Sequence, residues 1–349
     1  MTTANPGGPA GRILVPGGYG AVGATVTGTL RDWFPGRVVP GGRDAAKAER
    51  HGGVRVDVGD PAGFGAVLDE LGDVTLVVLC VEPPDQGIAR VCLERGAGLV
   101  DIGATRRLLD GVTALRDIAV GSGAAAVLSV GVAPGLTNLL ARRAHEEVGG
   151  ADRIDLTVLL GSGERHGADA VRWTVDGLAA PTAARPLRIS LPGHGTRTRT
   201  AYPFPFSDQH TLARTLGVAE VTTRLSLDSR ALTALLFVLR RTGALRAVRR
   251  AGPRRLLTEA FRRVRLGGDR FVVRADAHRG GRHAAWAATG REQSRFTALM
   301  AAHAAREVLS GAVPPGVHHI EELPVFAKLP EALTGAGLTV RRLLPGDIR

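Results

Sequence analysis

The stretch Arg12-Ile-Leu-Val-Pro-Gly-Gly-Tyr-Gly-Ala-Val-Gly-Ala24 decides how the chain is read. An apolar run, Ile13-Leu14-Val15, meets a cluster of glycines, and a helix-like segment follows. Gly18, Gly20 and Gly23 fit G-x-G-x-x-G, and Gly17, Gly20 and Gly23 fit the looser G-x-x-G-x-x-G. A strand, a tight glycine turn and a helix start are what a dinucleotide pyrophosphate requires. Glycines let the backbone turn and come close to the phosphates, and the helix N-terminus offers free N–H groups with a partial positive charge. The candidate contacts are therefore Gly17, Gly18, Tyr19, Gly20, Ala21, Val22 and Gly23. The motif gains weight from its place at the first strand–helix junction of the chain.

Beyond it, apolar strand-like runs alternate regularly with helical segments. The reading is a helix over 21–33, strands over 37–39 and 54–58, a helix over 62–71 and an apolar strand over 74–81. A helix over 86–95, a strand over 98–103, a helix over 109–120 and a strand over 124–130 follow. The nearly continuous apolar run Val74-Thr-Leu-Val-Val-Leu-Cys-Val81 suits a strand buried on both faces of a parallel sheet. The alternation is the pattern of a doubly wound α/β fold. In such sheets ligands sit at the carboxyl ends of the strands, which brings Cys80 and Val81 into the cofactor-contact set.

The end of the second strand bears on which cofactor is held. An NAD site places an Asp or Glu there for the ribose 2′-hydroxyl. No carboxylate lies between Asp32 and Asp44; Gly42-Arg43 follows the strand instead. A guanidinium at that point holds a 2′-phosphate by paired hydrogen bonds, so NADP(H) is the expected cofactor. Asp44 is read as a cap for the next helix. Asp57 and Val58 are placed to meet the adenine, with Asp60-Pro61 starting the following helix as the other reading of this corner.

The second half reads as α+β: a strand over 153–160, a helix over 168–178, strands over 187–191, 195–201 and 221–227, and a helix over 211–216. An arginine-laced helical region spans 231–266, a hairpin joins strands 270–276 and 283–289, and a long helix covers 294–309. The loop Gly161-Ser-Gly-Glu-Arg-His-Gly167 is rich in groups able to face a substrate. His166 titrates nearest neutral pH, so His166, with Glu164, is the candidate proton donor or acceptor. Asp208 and His210 either line a cleft or, for Asp208, cap a helix. Arg106, Arg172 and Arg224 are candidates for holding a substrate carboxylate.

Several functional classes are disfavoured. The formal charge of +12 comes almost wholly from arginine, since lysine occurs only at Lys47 and Lys328. The densest basic stretch, 240–265, carries Leu and Val at helical spacing and a single aromatic, Phe261, so it reads as a solvated helix face rather than a nucleic-acid surface. No apolar run reaches the ~20 residues that span a bilayer, and the start lacks a signal-peptide pattern, so a cytoplasmic location is expected. Cys80 and Cys92 give neither a disulfide framework nor metal spacing. His318-His319 lacks a third ligand and is read as structural, so no metal is expected. The tyrosines are only Tyr19 and Tyr202, which excludes the Tyr-x-x-x-Lys pair of short-chain dehydrogenases.

Four features together resemble the saccharopine dehydrogenase-like family of NAD(P)-dependent oxidoreductases. They are Gly17-Gly-Tyr-Gly-Ala-Val-Gly23, the Gly42-Arg43 pair, the strand Leu99-Val-Asp-Ile-Gly103, and Val132-Ala-Pro-Gly-Leu-Thr-Asn-Leu139. The resemblance covers the first ~145 residues well and the rest in outline. It implies an N-terminal Rossmann domain whose last strand leads by a Pro-Gly loop into a second, α+β substrate domain. The loop, Pro134-Gly135, is then expected near the nicotinamide. The implied organisation is a dinucleotide-binding domain over 1–148, a substrate and dimerisation domain over 149–291, and a C-terminal helix and tail over 292–349 that pack back on the first. The implied activity is hydride transfer at an imine or carbonyl of a small, carboxylate-bearing, amino-acid-like substrate. Expected partners are that small molecule and a second copy in a homodimer, with no nucleic acid and no membrane. The reading kept beside it is a non-catalytic NADP(H)-binding sensor or scaffold, because no acid–base constellation stands out.

Overall fold

A computed structural model describes residues 11–163, 174, 176–177, 184–193, 198–242 and 267–344. Contact density divides the chain into two units: 1–131 with 297–326, and 132–296 with 327–349.

The first unit is a parallel sheet wound on both faces. Its strands are β1 (Arg12–Pro16), β2 (Val38–Gly42), β3 (Val54–Arg55), β4 (Val74–Leu79), β5 (Gly98–Asp101), β6 (Ala125–Leu128) and β13 (Gly316–His319). They lie in the order β13-β6-β5-β4-β1-β2-β3, every pair parallel. Because β2 and β4 flank β1, the winding reverses beside β1, and the crevice of a doubly wound fold opens at that point. The helices are α1 (Gly23–Trp33), α2 (Ala45–Arg50), α3 (Pro61–Leu71), α4 (Gly87–Glu94), α5 (Arg106–Thr113) and α6 (Arg116–Ser122).

Alternation along the strands sorts the core into two layers. Leu14, Val77, Leu79 and Leu99 face one way, onto Phe64 and Leu68 of α3, Cys92 and Leu93 of α4 and Leu109 and Val112 of α5. Ile13, Leu76 and Gly98 face the other. There Gly98 leaves room for Val308, on a long helix whose Trp33-facing His303 packs edge-on 5.1 Å from that indole.

The structure departs from the sequence reading in a few places. The helix expected over 109–120 is two helices, α5 and α6, and the strand expected over 54–58 keeps only Val54–Arg55 in the ladder. There Val56 and Val58 turn into the core, and Asp57 Oδ1 accepts from the Gly59 N–H at 2.9 Å and closes a turn. Asp44 and Asp60 cap α2 and α3, accepting from the N–H groups of Lys47 and Gly63 at 3.0 Å each.

The second unit is built on a mixed sheet in the order β14-β12-β11-β7-β10-β9-β8. Its strands are β7 (Arg153–Leu160), β8 (Leu187–Ile189), β9 (Arg199–Pro203), β10 (Glu220–Leu227), β11 (Arg270–Arg279), β12 (Arg282–Arg291) and β14 (Thr339–Arg342). Its helices include α7 (Leu136–Glu147), α8 (Asp208–Thr215) and α9 (Arg230–Arg241). One sheet face carries Val158 and Leu225 against Phe204, Phe206, Leu236 and Phe237. The opposite face changes character along its length, from Leu159 and Val272 through Arg274 and Asp276 to Arg153 and His278.

The segment 292–344 is shared. Helix α10 (Gln293–Leu309) leads from the second unit into the first, β13 adds a strand to the parallel sheet, and β14 pairs with β12 in the mixed sheet after a short helix α11 (Leu329–Ala332).

Two glycines of α1 make opposite predictions. A Cβ on Gly23 would stand 2.1 Å from the Gly17 carbonyl oxygen, whereas one on Gly28, exposed in mid-helix, would meet nothing. Gly23→Ala is expected to destabilise the protein by about 1–3 kcal/mol. Gly28→Ala is expected to stabilise it by about 0.5–1 kcal/mol. Urea denaturation of the two variants beside the parent checks both.

Candidate functional site

The glycine loop follows β1 directly. The N–H of Gly17 donates to the Gly41 carbonyl at 2.8 Å and that of Gly20 to Gly17 at 2.8 Å, so the loop is tied to the end of β2 and to itself. Gly17 has φ +77°, and its α-carbon presses on β4's extension: a Cβ there would lie 3.0 Å from the Cys80 carbonyl atoms and 3.2 Å from Val81. Thr27 Oγ1 donates to the Gly18 carbonyl at 2.8 Å, which anchors α1 under the loop. The backbone N–H groups of Ala21, Val22 and Gly23 have no acceptor among the described residues. Three unspent donors at the start of an eleven-residue helix are the elements of an anion cradle.

Tyr19 reaches from this loop over the end of β2. Its hydroxyl lies where a Gly42 Cβ would be, its ring stacks on His51 at 5.2 Å, and Lys47 Nζ sits 4.9 Å from the ring centre. Burial and the Asp44 charge push its phenol pKa up. Arg43 beside it is exposed. Its carbonyl accepts from Arg55 Nε at 3.3 Å, while its guanidinium has no partner among the described residues. Asp44, the one carboxylate nearby, has an oxygen engaged in capping α2. The strand end therefore presents two cations, Arg43 and Lys47, beside a capping carboxylate.

Parallel pairing brings the other strand ends to the same edge. Cys80 is half-buried, its N–H donating to Pro16 at 2.9 Å; burial pushes its thiol far up, and nearby Asp101 adds to this. Val81 packs against the core, and Asp57 and Val58 occupy the turn described above.

Sequence reasoning gave Asp101 no role. It ends β5 and is 1% exposed; Oδ1 accepts from the Gly103 N–H at 2.7 Å and Oδ2 has no partner. Burial, reinforced by the Glu82 charge, raises its pKa to about 6. A lone carboxylate inside the apolar run Leu99-Val-Asp-Ile was the available signal. Also missed was the pair of Ser129, held at φ +60°, with His319 Nδ1 2.8 Å from its Oγ. These residues are 190 positions apart, so no local pattern joins them. His319 is thereby engaged, and His318 Nε2 lies 3.1 Å from the Pro314 carbonyl.

In the second unit, the Val132–Leu139 motif is a turn into α7. Gly135 takes φ +133°, open in practice to glycine alone, and its N–H donates to Asn138 Oδ1 at 3.0 Å. Asn138 Nδ2 in turn donates to Thr211 Oγ1 at 3.1 Å. Asp208 lies in the same network and is wholly buried. Its Oδ1 accepts from Thr223 Oγ1 at 2.6 Å, Thr137 also donates to the carboxylate, and Oδ2 is without a partner. Burial lifts its pKa to about 6 against those hydrogen bonds. Ser207, not Asp208, occupies the cap position of α8, and the Asp208 carboxylate is buried. Its neighbour His210 is exposed.

Arg224 is also withdrawn from substrate binding, because its Nη1 bonds Asp155 at 2.6 Å and its Nε bonds the Arg185 carbonyl at 3.1 Å. Arg106 makes an exposed pair with Asp110 at 3.3 Å. Glu164, His166 and Arg172 lie outside the described residues. No helix among the described residues is long and apolar enough to cross a membrane.

The architecture is thus of the two-domain α/β class, a doubly wound parallel sheet followed by a mixed-sheet unit. No family model matches the chain, and no curated protein matches it. Solved structures do. C. glutamicum DAP dehydrogenase in complex with DAP is 16% identical, over 93% of this chain and 98% of that one, with a TM-score of 0.51. An engineered D-amino acid dehydrogenase bound to NADP+ is 16% identical over 93% and 99%, with a TM-score of 0.48. The WlbA dehydrogenase from Thermus thermophilus, in complex with NAD and UDP-GlcNAcA, is 16% identical over 91% and 94%, with a TM-score of 0.41. At such identity the likeness to the first is one of fold.

The two buried carboxylates set a pH prediction. In each, the folded pKa of about 6 stands above the unfolded value of 3.8, so the folded chain keeps a proton that the unfolded chain has lost. Their joint effect is to make stability fall as pH rises from about 4 to 6 and to be flat above that. Each group accounts for on the order of 3 kcal/mol across the window. Asp101→Asn and Asp208→Asn should each remove their share of that slope, read as the difference from the parent in denaturant midpoints between pH 4.5 and 7.

Proposed function

We propose that the protein is an NADP(H)-dependent oxidoreductase. The observation that carries this reading is the pairing of an unspent helix-start cradle, Ala21 to Gly23, with an unpartnered Arg43 at the end of β2. The residues suit the group: the cradle donates to the pyrophosphate, and the Arg43 guanidinium donates to a 2′-phosphate with Lys47 adding charge nearby. The fold shared with a dehydrogenase of solved structure supports the redox class.

NADP(H), when bound, supplies the hydride chemistry. The chain's share is binding, orientation and the handling of a proton. Gly17 brings the loop against Cys80, so the cradle and the end of β4 share one edge with Asp101. The substrate is read as an imine or carbonyl compound bearing a carboxylate, in keeping with the resemblance of Val132–Leu139 and the glycine loop to saccharopine dehydrogenase-like enzymes. His166 and Glu164 remain the proposed proton-handling groups. Pro134 and Gly135, held by Asn138, are the proposed nicotinamide-end contacts.

NADPH should raise the melting temperature more than NADH at equal concentration, and Arg43→Ala should weaken NADPH binding about tenfold or more while changing NADH little. Calorimetric titration of both cofactors into parent and variant checks this. Absence of binding by either nucleotide, or equal loss for both in the variant, overturns the proposal.

A further inference from the structure

We infer that the second unit carries an anion-binding pocket at the closed end of the β11–β12 hairpin, for a small polyanion such as a phosphate compound or a polycarboxylate. The pocket has a volume of about 270 Å³ and is lined by Asp152, Arg153, His278, Arg279, Arg282 and His283. Sites for drug-sized ligands run from about 300 to 1,000 Å³, so this one fits a compact ion and not a dinucleotide.

Strand register gathers the basic groups at one end of the hairpin, Arg279 and Arg282 on one sheet face and His278, His283 and Arg153 on the other. Gly280-Gly281 forms the turn, which sets Arg279 opposite Arg282 and His278 opposite His283. Antiparallel pairing with β7 then sets Arg153 opposite His278. Arg279 and Arg282 are thus like charges set directly opposite, an arrangement that destabilises a ladder. The two imidazoles stack at 4.5 Å, and burial together with the Arg153 and His283 charges holds His278 below the ordinary histidine range.

The nearby carboxylates are already engaged. Asp276 takes two 2.7 Å bonds from the buried Arg274 and lies 3.0 Å from His283 Nε2. Asp155 takes Arg224 at 2.6 Å and Arg153 at 3.0 Å. Asp152 alone lines the pocket as an acid. The Arg279 side chain has no hydrogen-bond or ion-pair partner among the described residues.

The arginines are placed rather than loose. Arg282 Nη2 donates to the Glu147 carbonyl at the end of α7, at 3.4 Å. Arg279 lies across Gly150, where an added Cβ would come within 3.1 Å of Nη1. Guanidinium forks so fixed, with free N–H groups, bind phosphate or carboxylate oxygens in pairs.

The test is calorimetric titration of inorganic phosphate and of citrate into the full chain at matched ionic strength. One-to-one binding of either ion is expected, and the ion that binds more tightly identifies the ligand class. Arg279→Gln, which removes no internal bond, should weaken binding at least fivefold, and Arg279→Gln with Arg282→Gln at least twentyfold, with the melting temperature of the single variant unchanged. Arg90→Gln, which lowers the net charge equally on another surface, should leave the affinity as it is. Failure of both ions to bind, or equal weakening by Arg90→Gln, overturns the inference.

Discussion

The first unit depends on one close approach, that of Gly23 to the carbonyl of Gly17. No side chain separates them, so α1 begins directly on the loop that ends β1. The helix can then direct its first N–H groups at the same edge to which β2, β4 and β5 deliver Arg43, Cys80 and Asp101. A methyl group at that point would lift the helix start, and the unspent donors would lose their common direction. The packing above and below follows from this seat: Val26 and Leu30 of α1 are wholly buried, and the sheet alternates its Leu and Val side chains between two helical layers.

In the second unit the comparable constraint is electrostatic. A sheet that buries Arg274, Asp276 and Asp208 must satisfy charges that water no longer solvates. Asp276 does so fully, and although burial pushes its pKa up, the bonds from His283 and Arg274 prevail and hold it below the usual range. Asp208 is satisfied on one oxygen only, and its pKa rises. The difference lies in the partners: a guanidinium fork and an imidazole in one case, two hydroxyls in the other. The same network that holds Asp208 orders the turn at Gly135, through Asn138 and Thr211.

Arginine supplies most of the chain's basic charge, yet individual arginines differ sharply in what they are free to do. Arg224 is spent on the half-buried Asp155 and Arg274 on the buried Asp276, and Arg143 is spent on Glu331 and the Ala327 carbonyl. Arg43 and Arg279 are exposed and unpartnered among the described residues. A net charge of +12 therefore says little about function until those two groups are told apart.

The doubly wound sheet, the glycine loop that follows β1, the lack of a carboxylate between Asp32 and Asp44 and the capping roles of Asp44 and Asp60 were legible in the chain itself. Each rests on neighbours a few residues apart: alternation within a strand, the spacing of Gly17, Gly20 and Gly23, or an Asp set just before a helix. What tertiary structure decided is of another kind. Asp208 reads as a cap because its neighbours in sequence are helical, and only folding shows it bonded to Thr223, fifteen residues on. Arg224 reads as free until Asp155, 69 residues away, is found beside it, and Ser129 meets His319 across 190. Strand register makes these pairs, and register depends on which strands become neighbours, a choice made by burial of the whole sheet and not by any local stretch.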